Sequence, residues 1–239
     1  MISVVTWLWG DKYSTTHVNV LCAMVRRHLQ IEHQFICLSD KTKGFRDDIR
    51  VLPLPQAGYR RHDPMALKRL WMFSAEAGEV LGPRFVAIDL DTVIVGDITA
   101  LLSRSEDFVV WKAPFYDPKH HAVNGPPYCY NASLMMMNAG ARSFVWERFA
   151  ENPEREIQYA EHSGWVYHGD SDIVSNMLIP REATWDLSDG LYAYWTHLDR
   201  GDKPLPADAR IVSFYGPRCD PADPKTQQKS PWIREHWRQ

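Results

Sequence analysis

Four consecutive apolar residues, Phe85-Val86-Ala87-Ile88, run directly into Asp89-Leu90-Asp91. A short unbroken apolar run has the pattern of a strand buried on both faces of a sheet. At its end, the i, i+2 spacing turns the two carboxylates to the same side of an extended chain, so they converge. Carboxylates that close repel, and a shared proton or a hard divalent cation relieves the repulsion. A pair of helix-capping or turn aspartates satisfies the same spacing.

The chain before this run alternates strand and helix. Residues 2–8 are β-branched and aromatic, and Gly10, Asp11 and Ser14 supply a turn. Val18, Leu21, Cys22, Val25 and Leu29 then recur at helical spacing, with Arg26, Arg27 and His28 at the end where the helix dipole favours cations. Residues 35–38 form a second apolar run, which completes a βαβ unit expected to be right-handed and parallel. Pro64 opens another helical pattern through Met65, Leu67, Leu70, Trp71 and Phe73, with Gly78 and Gly82-Pro83 as its stop. Residues 108–111, 134–137 and 211–215 read as strands, and 141–149 and 171–178 as helices. Between the strands at 108 and 134 lies a long segment, 112–128, with four prolines and His120-His121, which reads as a functional loop. The expected architecture is α/β, a doubly wound and mainly parallel sheet with flanking helices. Such sheets bind ligands at the carboxyl ends of their strands.

A chain of 239 residues that is 45% hydrophobic and 24% charged suits one globular domain over 1–239. A formal net charge of -3 gives no basic excess, so a nucleic-acid partner lacks electrostatic support. Cys22, Cys37, Cys129 and Cys219 form no C-x-x-C pair, which argues against a zinc ribbon or redox motif and fits a reduced, cytoplasmic setting. The apolar start lacks a basic segment and a small-residue cleavage site. No apolar run approaches the ~18 residues of a transmembrane segment, although an acceptor at the inner membrane surface stays open.

The stretch from Phe85 through Asp89-Leu90-Asp91 to Gly96-Asp97-Ile98 resembles the D-x-D signature of GT-A glycosyltransferases, especially bacterial family-8-like nucleotide-diphospho-sugar transferases. In that family the motif follows a strand and precedes an apolar turn and a Gly-Asp helix start. The resemblance implies a single GT-A-like catalytic domain that moves a sugar from a nucleotide-sugar donor, UDP-sugar above all, to a glycan, lipid or protein acceptor. It implies Mn²⁺ or Mg²⁺ as cofactor, with Asp89 and Asp91 as metal ligands, Asp89 also reaching the sugar or ribose, and Leu90 lining the donor site.

Other stretches follow in the order that this resemblance requires. Lys68-Arg69 resembles the basic position that reaches donor phosphates or sugar, with Arg69 the better match; a solvated basic helix face is the alternative. Asn131 and Ser133 resemble the border of the sugar pocket, while Met135-Met136-Met137 read as core. His168-Gly169-Asp170-Ser171-Asp172 resembles the family's G-D-Q-D, with Ser171 in place of glutamine; Asp170 and Asp172 are thereby candidate catalytic residues, and Asp170 equally suits a helix cap. Residues 211–218 resemble the terminal H-F-x-G-x-x-K-P or F-H-G-x-P-K-P motif, and Tyr215, Gly216 and Arg218 fall on the donor side. Neither register has the metal-binding histidine: Ser213 or Tyr215 takes its place. At the front, Thr6-Trp7-Leu8-Trp9 and Tyr13 follow the first strand where the family cradles the nucleobase, and a Trp or Tyr there can stack on a base. A plain core role for Trp7 stays open. Trp165 and Trp185 are candidate acceptor contacts.

Two rival functions fit parts of the pattern. A haloacid-dehalogenase-type phosphohydrolase also carries D-x-D-x-[TV] after an apolar strand, satisfied here by Asp89 through Val93, but normally after the first strand of its domain. A non-catalytic sugar-binding module needs no acidic pair with basic residues ahead of it.

Overall fold

The computed structural model describes residues 1–56, 65–114, 130–162, 169–178, 181–215 and 219–239. Its centre is a 7-stranded sheet in the order β3-β2-β1-β4-β7-β6-β8. The strands are β1 Ile2–Leu8, β2 His33–Ser39, β3 Ile49–Pro53, β4 Arg84–Ile88, β6 Phe108–Lys112, β7 Tyr130–Asn138 and β8 Ala183–Trp185. Pairings are parallel throughout except along β7, which is antiparallel to β4 and β6. A 3-stranded sheet, β5 Thr92–Ile94, β10 Ile211–Ser213 and β9 Leu191–Ala193, packs beside it.

Alternation along the central strands divides the core in two. Val4, Val86, Val109 and Met136 face one side, where they join α1 (Thr15–His28) and the small sheet. Val5, Phe85, Ala87, Val110, Met135 and Met137 face the other, against a 3-10 helix (Met65–Phe73) and α2 (Ala75–Leu81). Successive side chains of a strand point to opposite faces, so a fully apolar strand needs cover on both. Further α-helices among the described residues are α3 Thr99–Leu102, α4 Phe144–Glu151, α5 Pro153–His162, α6 Asp170–Met177, α7 Pro224–Lys229 and α8 Trp232–His236. Among the described residues, no helix is long and apolar enough to cross a membrane.

Several expected elements differ from those observed. The helical pattern from Pro64 is two helices, because Ser74 caps a fresh one: its Oγ accepts from Ala77 N at 3.1 Å. Gly78 lies inside α2 and does not stop it; a Cβ there would come within 2.6 Å of Ala139 Cβ, so glycine serves close packing. The helix expected from 141 begins at Phe144, since Gly140 and Arg142 take left-handed φ values of 79° and 59°. Asp97 precedes α3, accepting from Thr99 N at 2.8 Å. The apolar turn expected after Asp91 is strand β5, paired with β10, which stops at Ser213. Pro64, Cys129 and most of 112–128, with His120-His121, lie outside the described residues. Cys22, Cys37 and Cys219 are buried free thiols.

Candidate active site

The acidic pair stands where β4 leaves the central sheet and turns into β5, with Leu90 and Asp91 in the turn itself. Two backbone hydrogen bonds hold it: Asp89 N donates to Ser133 O of β7 at 3.0 Å, and Phe214 N, just past β10, donates to Asp91 O at 2.7 Å. The junction of the two sheets therefore sets the position of both carboxylates.

They open onto a cleft of about 210 Å³ lined by Trp7, Trp9, Lys12, Tyr13, Ala66, Arg69, Asp89, Leu90, Asp91 and Asp170. Ala66 and Arg69, three residues apart, share one face of the 3-10 helix, as its three-residue turn requires. Arg69 is 5% exposed. Its Nη1 lies 2.6 Å from Asp89 Oδ1 and 3.3 Å from Asp170 Oδ2, and its Nη2 donates to Ala132 O at 2.6 Å. Burial works against its charge, but Asp170, Asp89 and Asp91 outweigh burial and hold its pKa above the ordinary value.

Asp170 opens α6, where the helix dipole favours a carboxylate. That helix is fastened to β7 by Ala132 N donating to Ser171 Oγ at 2.9 Å. Burial pushes the Asp170 carboxyl up, against the pull of Arg69. Asp172 is buried beneath, its Oδ2 accepting from Gly169 N at 3.3 Å.

Asp91 has a different environment. Tyr13 Oη donates to its Oδ2 at 2.8 Å, while its Oδ1 is buried with no hydrogen-bond partner among the described residues. Burial first, and then the Asp89 charge, push the Asp91 carboxyl up to about 6. Burial and Asp91 together push the Tyr13 phenol well above its usual range. Behind Tyr13, the His17 ring lies at 5.2 Å, and His17 Nε2 is 3.3 Å from Asp220 Oδ1.

Trp7, Tyr13, Arg69, Asp89, Leu90, Asp91 and Asp170 thus meet in one cleft although they are scattered along the chain. Thr6 does not join them: it is fully buried and its Oγ1 donates to Ile88 O at 2.8 Å, bracing β1 on β4. Asn131 is also buried, its Oδ1 accepting from Ser133 N at 2.8 Å. Ser133 and Ser213 line a separate small cavity beneath the turn with Ile88 and Thr92. Tyr215 packs edge-on to Trp111 at 6.1 Å, beside the cleft and not among its lining residues. Trp185 is 0% exposed inside the core, which removes it as an acceptor contact. Lys68 borders a neighbouring cavity with Asp40 and Lys41. Trp165, His168, Gly216 and Arg218 lie outside the described residues.

The cleft also holds Trp9, from the stretch that follows the first strand, together with Lys12 and Ala66, to which the sequence does not point. For Lys12, its position after the first strand at the carboxyl edge of the sheet was the available signal.

No family model matches this sequence, and no curated protein matches it either. Solved structures do. The galactosyltransferase LgtC, in complex with donor and acceptor sugar analogues, superposes with a TM-score of 0.66 at 14% identity, covering 98% of this chain and 96% of that one. The fold is that of a GT-A glycosyltransferase. An active-site variant of LgtC superposes with a TM-score of 0.61 over 98% of this chain and 95% of its own, also at 14% identity. The glycosyltransferase GlyE of Streptococcus pneumoniae TIGR4 does so with 0.64 at 14% identity, over 99% of this chain and 62% of its own. Within this fold the acidic pair directly follows the central strand β4, which lies between β1 and β7.

Among the described residues no group of three His, Cys, Asp or Glu side chains forms a ligand set for a metal. The donors present still suit one. The bare, buried Oδ1 of Asp91 beside Asp89 is an acceptor without a proton donor, the arrangement that a hard cation with open coordination positions completes.

Proposed function

We propose that this protein is a metal-dependent glycosyltransferase that moves a sugar from a nucleoside-diphosphate sugar, with uridine as the expected base, to a glycan, lipid or protein acceptor, with retention of anomeric configuration. The observation that carries the proposal is the convergence of the bare Asp91 carboxylate with the Asp89–Arg69–Asp170 ion network in one cleft of a GT-A fold. Retention and the uridine preference rest on the resemblance of the motifs alone.

Asp91 and Asp89 would hold Mn²⁺ or Mg²⁺. Once bound, such an ion acts as a Lewis acid that stabilises charge on the departing diphosphate. Arg69 anchors Asp89 and Asp170 and so holds both carboxylates at the cleft, where the sugar hydroxyls would approach. Asp172 is a positioning residue, because it fixes the start of the helix that carries Asp170. Trp7, Trp9 and Tyr13 offer the flat apolar surfaces on which a base or sugar stacks. The anomeric carbon leaves the diphosphate oxygen for the acceptor oxygen, the acceptor's hydroxyl proton passes to the departing diphosphate, and no side chain needs to attack.

Asp89 and Asp91 alone would be too few protein ligands to hold such an ion tightly, so diphosphate oxygens would be needed beside them. Metal and nucleotide then bind with positive coupling of about 1–3 kcal/mol, each raising the affinity for the other by the same factor. A thermal-shift panel of UDP, GDP, ADP, CDP and TDP with and without Mn²⁺ tests this. A large shift is expected with UDP and Mn²⁺ together and small ones with either alone. Hydrolysis of simple phosphate esters with covalent phosphate on Asp89 would instead support the phosphohydrolase, against which stands the place of β4 behind three other strands.

A further inference from the structure

The charges within the cleft are unevenly committed. Three carboxylates, Asp89, Asp91 and Asp170, face two cations, Arg69 and Lys12, among the described lining residues. Arg69 is sunk beneath the floor, and its two terminal nitrogens are taken by Asp89, Asp170 and the Ala132 carbonyl. It neutralises the protein's own carboxylates and has little left to offer a ligand. Lys12 is the opposite case. It is exposed, it has no ion-pair partner among the described residues, and its ammonium rests 4.6 Å from the centre of the Tyr13 ring. The same Tyr13 holds Asp91 through its hydroxyl, so one side chain places a cation and a carboxylate on adjoining sides of the cleft. The Lys12 charge also reaches Asp91 and Asp220, where it favours the ionised forms.

We propose that Lys12 is a diphosphate-binding cation of this cleft, held over Tyr13 until the ligand's phosphate oxygens draw it in. This rests on the nucleotide-sugar reading of the site. A diphosphate brings more negative charge than the single metal proposed at Asp91 neutralises alongside Asp89 and Asp91. A lysine ammonium on a flexible stem suits that task, since it can follow the phosphates as a point charge while an arginine locked in ion pairs cannot. Leaving a solvated surface position for a phosphate costs it little protein–protein contact, because among the described residues it makes no ion pair and rests on the Tyr13 ring.

The test uses the full chain and calorimetric titration, in the presence of Mn²⁺, with UDP, GDP and inorganic pyrophosphate as separate probes. Lys12→Gln is expected to weaken the diphosphate that binds the wild type by about tenfold or more, the scale of one lost charge-assisted hydrogen bond. Lys12→Arg should recover most of the affinity. Lys41→Gln, a neighbouring lysine paired with the exposed Asp11 at 3.5 Å, should leave it unchanged. Binding of uridine, which has no phosphate, should be equal in wild type and Lys12→Gln, as should their melting temperatures. Equal diphosphate affinity in wild type and Lys12→Gln would overturn the role of Lys12 while leaving the donor site standing. A wild type that binds none of the three probes would overturn the site reading, and the role of Lys12 with it.

Discussion

Tyr13 and Asp91, 78 residues apart in the chain, share a 2.8 Å hydrogen bond that occupies one carboxylate oxygen and leaves the other buried and bare. The phenol sets the orientation of the carboxylate, and the free oxygen is the one left for a cation. Tyr13→Phe should therefore weaken Mn²⁺ binding in the presence of UDP, read by the electron paramagnetic resonance of free Mn²⁺. Without metal, the lost hydrogen bond to a buried charged group should cost about 1–3 kcal/mol at pH 8. Unchanged Mn²⁺ affinity would show that Asp91 needs no help from Tyr13.

Asp91 gives a stability prediction with a definite sign. Its carboxyl is pushed up to about 6 from an ordinary 3.8, so between those values the folded state binds more protons than the unfolded state. Stability from this group is full below about pH 4 and is lost as pH rises toward 6. In metal-free protein, Asp91→Asn should be more stable than wild type at pH 8 by roughly 3 kcal/mol, with the gap closing near pH 4. Urea midpoints at pH 4, 6 and 8 measure it. A variant less stable than wild type at pH 8 would mean that the carboxylate is better satisfied than its bare Oδ1 indicates. The same variant should lose the thermal shift with UDP and Mn²⁺.

Arg69 should be a structural keystone as well as part of the site. Arg69→Met leaves Asp89 and the buried Asp170 without their cation, and breaking a buried pair from one side costs about 3–5 kcal/mol. Asp170→Asn combined with Arg69→Met should return part of that loss. Chemical denaturation of the two single variants and the double variant decides it; strict additivity would argue that the ion pair carries no coupling.

Gly78 tests the packing that holds the 3-10 helix and α2 on the sheet. Gly78→Ala improves helix propensity by about 1 kcal/mol but drives a methyl into Ala139 Cβ, and overpacking of this kind costs about 1–3 kcal/mol. Net destabilisation is expected, relieved when Ala139→Gly is added. A stabilised single variant would show that the contact yields easily.

Apolar runs such as those of β1 and β4 announce strands buried on both faces, because burial on alternate sides leaves a local mark on the sequence. The same logic places Asp89 and Asp91 at a strand end. Ser74 and Gly78 show the limit: a helical period runs through both, yet a cap divides the helix and a distant alanine explains the glycine. Trp185, a tryptophan like Trp9 in composition terms, lies in the core while Trp9 lines the cleft.

From its sequence alone this protein is an α/β chain with an acidic pair at the end of a central strand, since periodicity and charge within a few residues suffice to specify both. Which partners those carboxylates have was decided only by the tertiary structure. Arg69 neutralises Asp89 and Asp170, Tyr13 takes one oxygen of Asp91, Lys12 is left without an ion pair among the described residues, and Thr6 and Asn131 turn into the interior. The physical reason is range. A side chain's own neighbours in sequence set its local conformation, whereas the charge and hydrogen-bond partners that define a site come from segments brought together only when the two sheets pack.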